Sequence, residues 1–231
     1  MAETVNHSIE NISVRIPCGR ETLLGDLAVP QGAKGLVLFV HGSGSSRLSP
    51  RNRYVADFLN RAGLGTLLFD LLTQEEERID ILTRELRFDI VLLADRLGEA
   101  TRWVRQQSEL KYLKLGYFGA STGAAAALLE ASRHATQVDA IVSRGGRPDL
   151  VGAALRNVAV PTLLIVGGAD YQVIQLNKQA LQQLCCEKEL LIIPGATHLF
   201  EESGALEEVA RASASWFIRF FGNAQSEPAS R

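Results

Sequence analysis

Apolar residues along this chain follow two periods, and stretches of each kind alternate. Ile12–Ile16 and Thr22–Val29 alternate polar and apolar side chains on either side of a Cys-Gly-Arg turn, which predicts a β-hairpin. Gly35–His41 is a continuous apolar run, the pattern of a strand buried on both faces. Ser49 then offers a helix N-cap with Pro50 in the favoured first position, and Val55, Leu59 and Ala62 keep helical spacing until Gly63 stops it. Further strands are predicted at Thr66–Asp70, Lys114–Ala120, Val138–Ser143, Pro161–Val166 and Leu190–Ile193. A long helix is predicted where Leu86, Ile90, Leu93, Leu97, Ala100 and Val104 step by threes and fours. Others fall at Gly123–Ala131, Val173–Leu184 and Leu206–Phe221, while Thr73 to Asp80 reads as a polar connection.

A hairpin followed by alternating strands and helices predicts an α/β fold, a mostly parallel sheet with helices on both faces. No linker or repeat interrupts it, so residues 1–231 read as one domain with flexible ends at 1–10 and 223–231.

Composition removes other classes. With 46% hydrophobic and 22% charged residues the chain is neither disordered nor fibrous. A formal net charge of −2 gives no electrostatic reason to bind nucleic acid or an anionic membrane. Met1 to Asn11 lacks the apolar segment of a signal peptide, and no apolar run approaches the ~18 residues of a membrane span. A cytoplasmic protein is expected. Cys18, Cys185 and Cys186 are odd in number and form no CxxC, so they read as buried or half-buried small hydrophobes. No metal or cofactor is expected.

The chemistry lies in Gly119-Ala-Ser121-Thr-Gly123, a G-x-S-x-G placed between a strand and a helix. A sharp turn there projects the serine Oγ above the sheet edge, and glycines are needed where strand and helix nearly touch. Asp170 follows the strand Pro161–Val166, and His198 follows the last strand. Serine needs a neutral imidazole to take its proton and a carboxylate to orient that imidazole. The chain order Ser121, Asp170, His198 is that of an α/β-hydrolase triad. Of the other histidines, His7 lies in the N-terminal arm, His134 near a helix C-terminus, and His41 at a strand end where it shapes the next loop. Asp149 is the rival acid but reads as a helix cap.

In His41-Gly-Ser-Gly-Ser-Ser-Arg47 the glycines free backbone N–H groups to face a developing oxyanion. The hole would use the N–H of Ser43 or Gly42 with that of Thr122. Gly42-Ser-Gly44 also starts like a dinucleotide loop, but Arg47 stands where its third glycine belongs.

These residues resemble the α/β-hydrolase superfamily, and within it the dienelactone-hydrolase-like branch. The resemblance rests on the elbow, on His41-Gly-Ser-Gly-Ser-Ser-Arg, Phe69-Asp-Leu-Leu-Thr-Gln-Glu-Glu, Ser143-Arg-Gly-Gly-Arg-Pro-Asp and Pro194-Gly-Ala-Thr-His-Leu-Phe-Glu-Glu, and covers roughly residues 12 to 222. It implies an eight-stranded sheet with one antiparallel strand and a triad of Ser121, Asp170 and His198. Dienelactone hydrolases proper use a cysteine nucleophile, and Ser121 occupies that position here. Some members of the branch are fused to a phosphoribosyltransferase domain, which this sequence does not include. A non-catalytic scaffold for such a partner is therefore the alternative to a serine hydrolase of small esters or lactones.

Gly146 to Pro161 leaves no room for a lid domain, so an open, shallow site is expected. Arg47, Arg144 and Arg147 lie in loops at its edge. Arg47 or Arg144 would bind a substrate carboxylate. The competing reading, an internal ion pair with Asp70, Asp149 or the Glu75–Glu77 run, is the favoured one. Oligomeric state is not legible.

Overall fold

Each buried strand sends alternate side chains to opposite faces of one sheet. In β3 (Gly35–Val40), Leu36, Leu38 and Val40 enter one apolar cluster while Val37 and Phe39 enter another. The computed structural model describes residues 10–222. The other strands are β1 (Asn11–Cys18), β2 (Glu21–Ala28), β4 (Gly65–Phe69), β5 (Lys114–Ala120), β6 (Ala140–Arg144), β7 (Thr162–Gly167) and β8 (Lys188–Ile193). They order as β1-β2-β4-β3-β5-β6-β7-β8. β2 runs antiparallel to both its neighbours and every other pairing is parallel, so one strand is reversed in a sheet of eight. The expected flexible ends, but for Glu10, lie outside the described residues.

Among the described residues there are six α-helices: α1 (Pro50–Arg61), α2 (Gln74–Thr83), α3 (Ile90–Gln106), α4 (Thr122–Arg133), α5 (Tyr171–Gln183) and α6 (Ala205–Gly222). α1 and α6 cover one face; α3, α4 and α5 cover the other. The second cluster is centred on Phe39 and Phe118, whose ring centroids lie 4.8 Å apart, and on Phe217. Burying each such ring contributes about 1.5–3 kcal/mol.

Several sequence expectations change. The polar connection Thr73 to Asp80 is mostly helix, α2. Thr73 Oγ1 accepts the Glu76 N–H and the Glu76 carboxylate accepts the Thr73 N–H, a capping box that the sequence Thr73-x-x-Glu76 announces. Among α2 residues only Asp80 is buried. Burial pushes its carboxyl up, but the Arg87 guanidinium and the N–H groups of Leu86 and Arg87 outweigh that and hold it below the usual carboxylate range. Leu86 belongs to a short 3-10 turn, Leu86–Phe88, and α3 starts only at Ile90 behind the Asp89 cap. Asp149 is not a cap either. It lies in the first turn of the 3-10 segment Pro148–Asn157 and grips the Arg147 guanidinium with both oxygens, at 2.8 and 2.7 Å.

The connection between β6 and β7 holds that 3-10 segment and forms no lid domain. Among the described residues no helix is long and apolar enough to cross a membrane. All three cysteines are free; Cys185 is exposed rather than buried, and Cys18 and Cys186 are half-buried.

Candidate active site

Ser121 stands between β5 and α4 with φ +51° and ψ −118°. A non-glycine residue there carries roughly 1–3 kcal/mol of backbone strain, which persists only where neighbours over-determine it. They do so here. The Ser121 N–H donates to Arg144 C=O at 3.1 Å, and its C=O accepts the Arg147 N–H at 3.2 Å. The flanking glycines leave no alternative packing. A Cβ on Gly119 would lie 2.4 Å from Ala124 Cα, and one on Gly123 would lie 2.1 Å from Val40 O. Although Ser121 takes the N-cap position of α4, its side chain caps nothing.

Asp170 and His198 meet through side chains. His198 Nδ1 lies 2.6 Å from Asp170 Oδ2. Asp170 is the N-cap residue of α5 yet makes no side-chain cap, so its carboxylate serves the imidazole instead. With Nδ1–H donated to the carboxylate, Nε2 is the lone-pair nitrogen. The His198 side chain is 40% exposed, as an open site requires. Gly145, the residue after Arg144, packs against the imidazole: a Cβ there would be 3.3 Å from His198 Cε1. The β6 end therefore touches Ser121 on one side and His198 on the other. Ser121 Oγ itself makes no hydrogen bond among the described residues, to His198 or to any other.

The loop after β3 is pinned at both ends. His41 is buried; its Nε2 accepts the Leu71 N–H at 3.0 Å, so Nδ1 carries the proton and donates to Gly42 C=O at 3.0 Å. Burial, partly offset by that bond to Gly42, pushes the imidazole below its ordinary range and keeps it neutral. Arg47 closes the other end. Its N–H donates to Asp70 Oδ1 at 2.8 Å, and its guanidinium pairs with Asp70 at 2.5 Å and Asp26 at 3.6 Å. Between these anchors Gly42 lies against the serine, where a Cβ would sit 3.2 Å from Ser121 Cβ. The Ser43 N–H is not free. It donates to Thr122 Oγ1 at 2.9 Å. The Thr122 N–H, first in α4, has no acceptor among the described residues.

The three arginines separate. Arg47 and Arg147 are committed to carboxylates. Arg144 is the last residue of β6 rather than a loop residue, and it reaches no acid among the described residues. Its Nη2 donates to Asn52 Oδ1 at 3.3 Å, its guanidinium lies 6.0 Å from the Phe200 ring centroid, and Nε and Nη1 are buried without partners. Burial, with Arg51 nearby, lowers its pKa to about 10. The favoured internal ion pair thus holds for Arg47 and fails for Arg144. A cleft of about 580 Å³ adjoins the β3 loop, walled by His41, Ser45, Ser46, Asp70, Thr73 and Glu77 among others, and excludes Ser121 and His198. Among the described residues no cluster of three or more His, Cys, Asp or Glu side chains could hold a metal.

Residues 31–224 match the dienelactone hydrolase family. The chain belongs to that family. Its fold and its family are those of hydrolases. A solved dienelactone hydrolase from Anabaena variabilis is 57% identical, with a TM-score of 0.91, covering 93% of this chain and 99% of that one. Est1E from Butyrivibrio proteoclasticus has a TM-score of 0.75 at 15% identity over 91% of this chain and 99% of its own, a likeness of fold alone. Two Mycobacterium tuberculosis proteins, each named "Putative phosphoribosyl transferase", are 53% identical over 205 residues, which is 89% of this family member and 45% of each of them. The chain spans less than half the length of those relatives.

Sequence reasoning missed the Thr122 hydroxyl and Asn52. Thr122 is visible in the sequence as a polar residue beside Ser121. Nothing in the spacing of Asn52 and Arg144 shows that they meet.

Proposed function

We propose that this chain is a serine hydrolase of small carboxylic esters or lactones. The observation that carries the reading is a serine held at φ +51° in a strand–helix turn, one β-strand end away from a hydrogen-bonded His–Asp pair. Ser121 Oγ attacks the carbonyl carbon while His198 Nε2 takes its proton. Asp170 orients the imidazole and stabilises its cation. His198 then returns the proton to the leaving alkoxide, and water, activated by the same imidazole, releases the acyl group. The Thr122 N–H receives the oxyanion. A cytoplasmic setting suits three free cysteines.

Arg144 is the candidate for recognising an anionic group on the substrate, because its guanidinium has buried donors and no counter-charge. Arg47, spent on Asp70 and Asp26, is set aside. A panel of small esters and lactones tests the reading: wild type turns them over and Ser121→Ala does not. Equal rates in both variants would reject it. In the same panel Arg144→Ala should slow a carboxylated ester more than its neutral analogue.

The second reading has one observation behind it, the name and greater length of the tuberculosis relatives. In it the chain serves a phosphoribosyltransferase-type domain without catalysis. A strained serine beside an Asp–His pair has no purpose there.

A further inference from the structure

We propose that the hydroxyl of Thr122 is a catalytic oxyanion donor, and that the Ser43 N–H acts through it as a positioning group. The inference deepens the hydrolase reading and rests on it. The sequence offers three backbone N–H groups for the hole, from Ser43 or Gly42 and from Thr122. One of them is already spent, since Ser43 N–H donates to Thr122 Oγ1 at 2.9 Å.

A hydroxyl holds one O–H donor and two acceptor lone pairs. The Ser43 N–H fills one lone pair, so the O–H hydrogen is directed elsewhere. Among the described residues Thr122 Oγ1 donates to no acceptor, although Thr122 is only 3% exposed. The Thr122 N–H is likewise without an acceptor, and it sits on the same residue at the first position of α4. Two adjacent donors therefore stand unspent directly after Ser121, at the positive end of a 12-residue helix. An oxyanion formed on the carbonyl attacked by Ser121 would take both.

The hydroxyl also gains from its own donor. A hydrogen bond into Oγ1 from Ser43 polarises the O–H and strengthens its donation to a negative oxygen. The Ser43 N–H is fixed in turn by the loop anchors His41 and Arg47. For Ser43 to serve the oxyanion directly, its bond to Thr122 would first have to break.

The two arrangements predict opposite signs for one substitution. Thr122→Val removes the hydroxyl at nearly constant shape and frees the Ser43 N–H. If Thr122 is the donor, kcat on a neutral ester falls by roughly 10²-fold with KM little moved, the usual loss for one oxyanion donor. Thr122→Ser should recover most of that loss. If the Ser43 N–H is the donor, Thr122→Val matches or exceeds wild-type kcat, and the proposal is overturned. Thr122→Ala gives the same reading should the valine variant fail to fold, and melting temperatures compare the variants. A wild type that turns over no ester and takes up no serine-directed probe overturns the hydrolase reading and this inference together; an active wild type with an equally active Thr122→Val overturns only this inference.

Discussion

Ser121 is positioned by backbone, whereas the His198 imidazole is oriented by one side-chain hydrogen bond. The serine has φ +51°, both its peptide groups bonded to the β6 end, and glycines on either side packed beyond what a Cβ could tolerate. The histidine sits on a loop past β8, 40% exposed, held by Asp170 at 2.6 Å. The proposed nucleophile is thus a property of the fold, and the proposed base a property of a pair. Damage to the first should therefore appear as lost structure, and damage to the second as lost rate in an intact protein.

The largest effect expected is structural. Gly123→Ala puts a methyl 2.1 Å from Val40 O and 2.4 Å from His41 O, both backbone atoms that cannot step aside. Chemical denaturation should show a loss of about 3 kcal/mol or more. A Gly123→Ala protein as stable as wild type would break the claim that backbone packing fixes the serine.

Asp170→Asn probes the other side. The amide leaves the imidazole without its charged partner and favours the wrong tautomer, so kcat should drop on the order of 10⁴-fold. Its melting temperature should stay close to wild type, because Asp170 caps no helix. Equal losses of stability and rate would erase the contrast between the two corners.

The smallest effect is on pH. Burial holds His41 below its ordinary value of 6.5, so below that pH the unfolded chain takes up a proton that the native state resists. Stability should fall as pH drops from 7 to 5. His41→Gln should start less stable and fall less steeply. A parallel fall in the two proteins would remove His41 as the source.

The strand–helix elbow around Ser121 was readable because it depends on local geometry. A sharp strand–helix turn demands small residues at fixed offsets, and the sequence carries them at Gly119 and Gly123. The middle of the sheet was readable because strands β3 to β7 are buried on both faces and so are largely apolar. α2 escaped because periodicity reports burial, and this helix buries only a carboxylate. Its capping box was there to be read. Charge pairing escaped for a different reason. Arg47, Arg144 and Arg147 look alike in sequence, and only the three-dimensional position of Asp70, Asp26 and Asp149 leaves Arg144 alone. The same holds for the oxyanion loop, where spacing placed Ser43 near Thr122 but could not show that one already bonds the other.

The hydrolase reading stands or falls on Ser121 as a nucleophile activated by His198. Incubating the folded protein with a fluorophosphonate probe and measuring intact mass tests it most directly. Wild type should label stoichiometrically at Ser121, with no label in Ser121→Ala and slow labelling in Asp170→Asn. A folded wild type that stays unlabelled, or a label carried elsewhere and kept in Ser121→Ala, would contradict it.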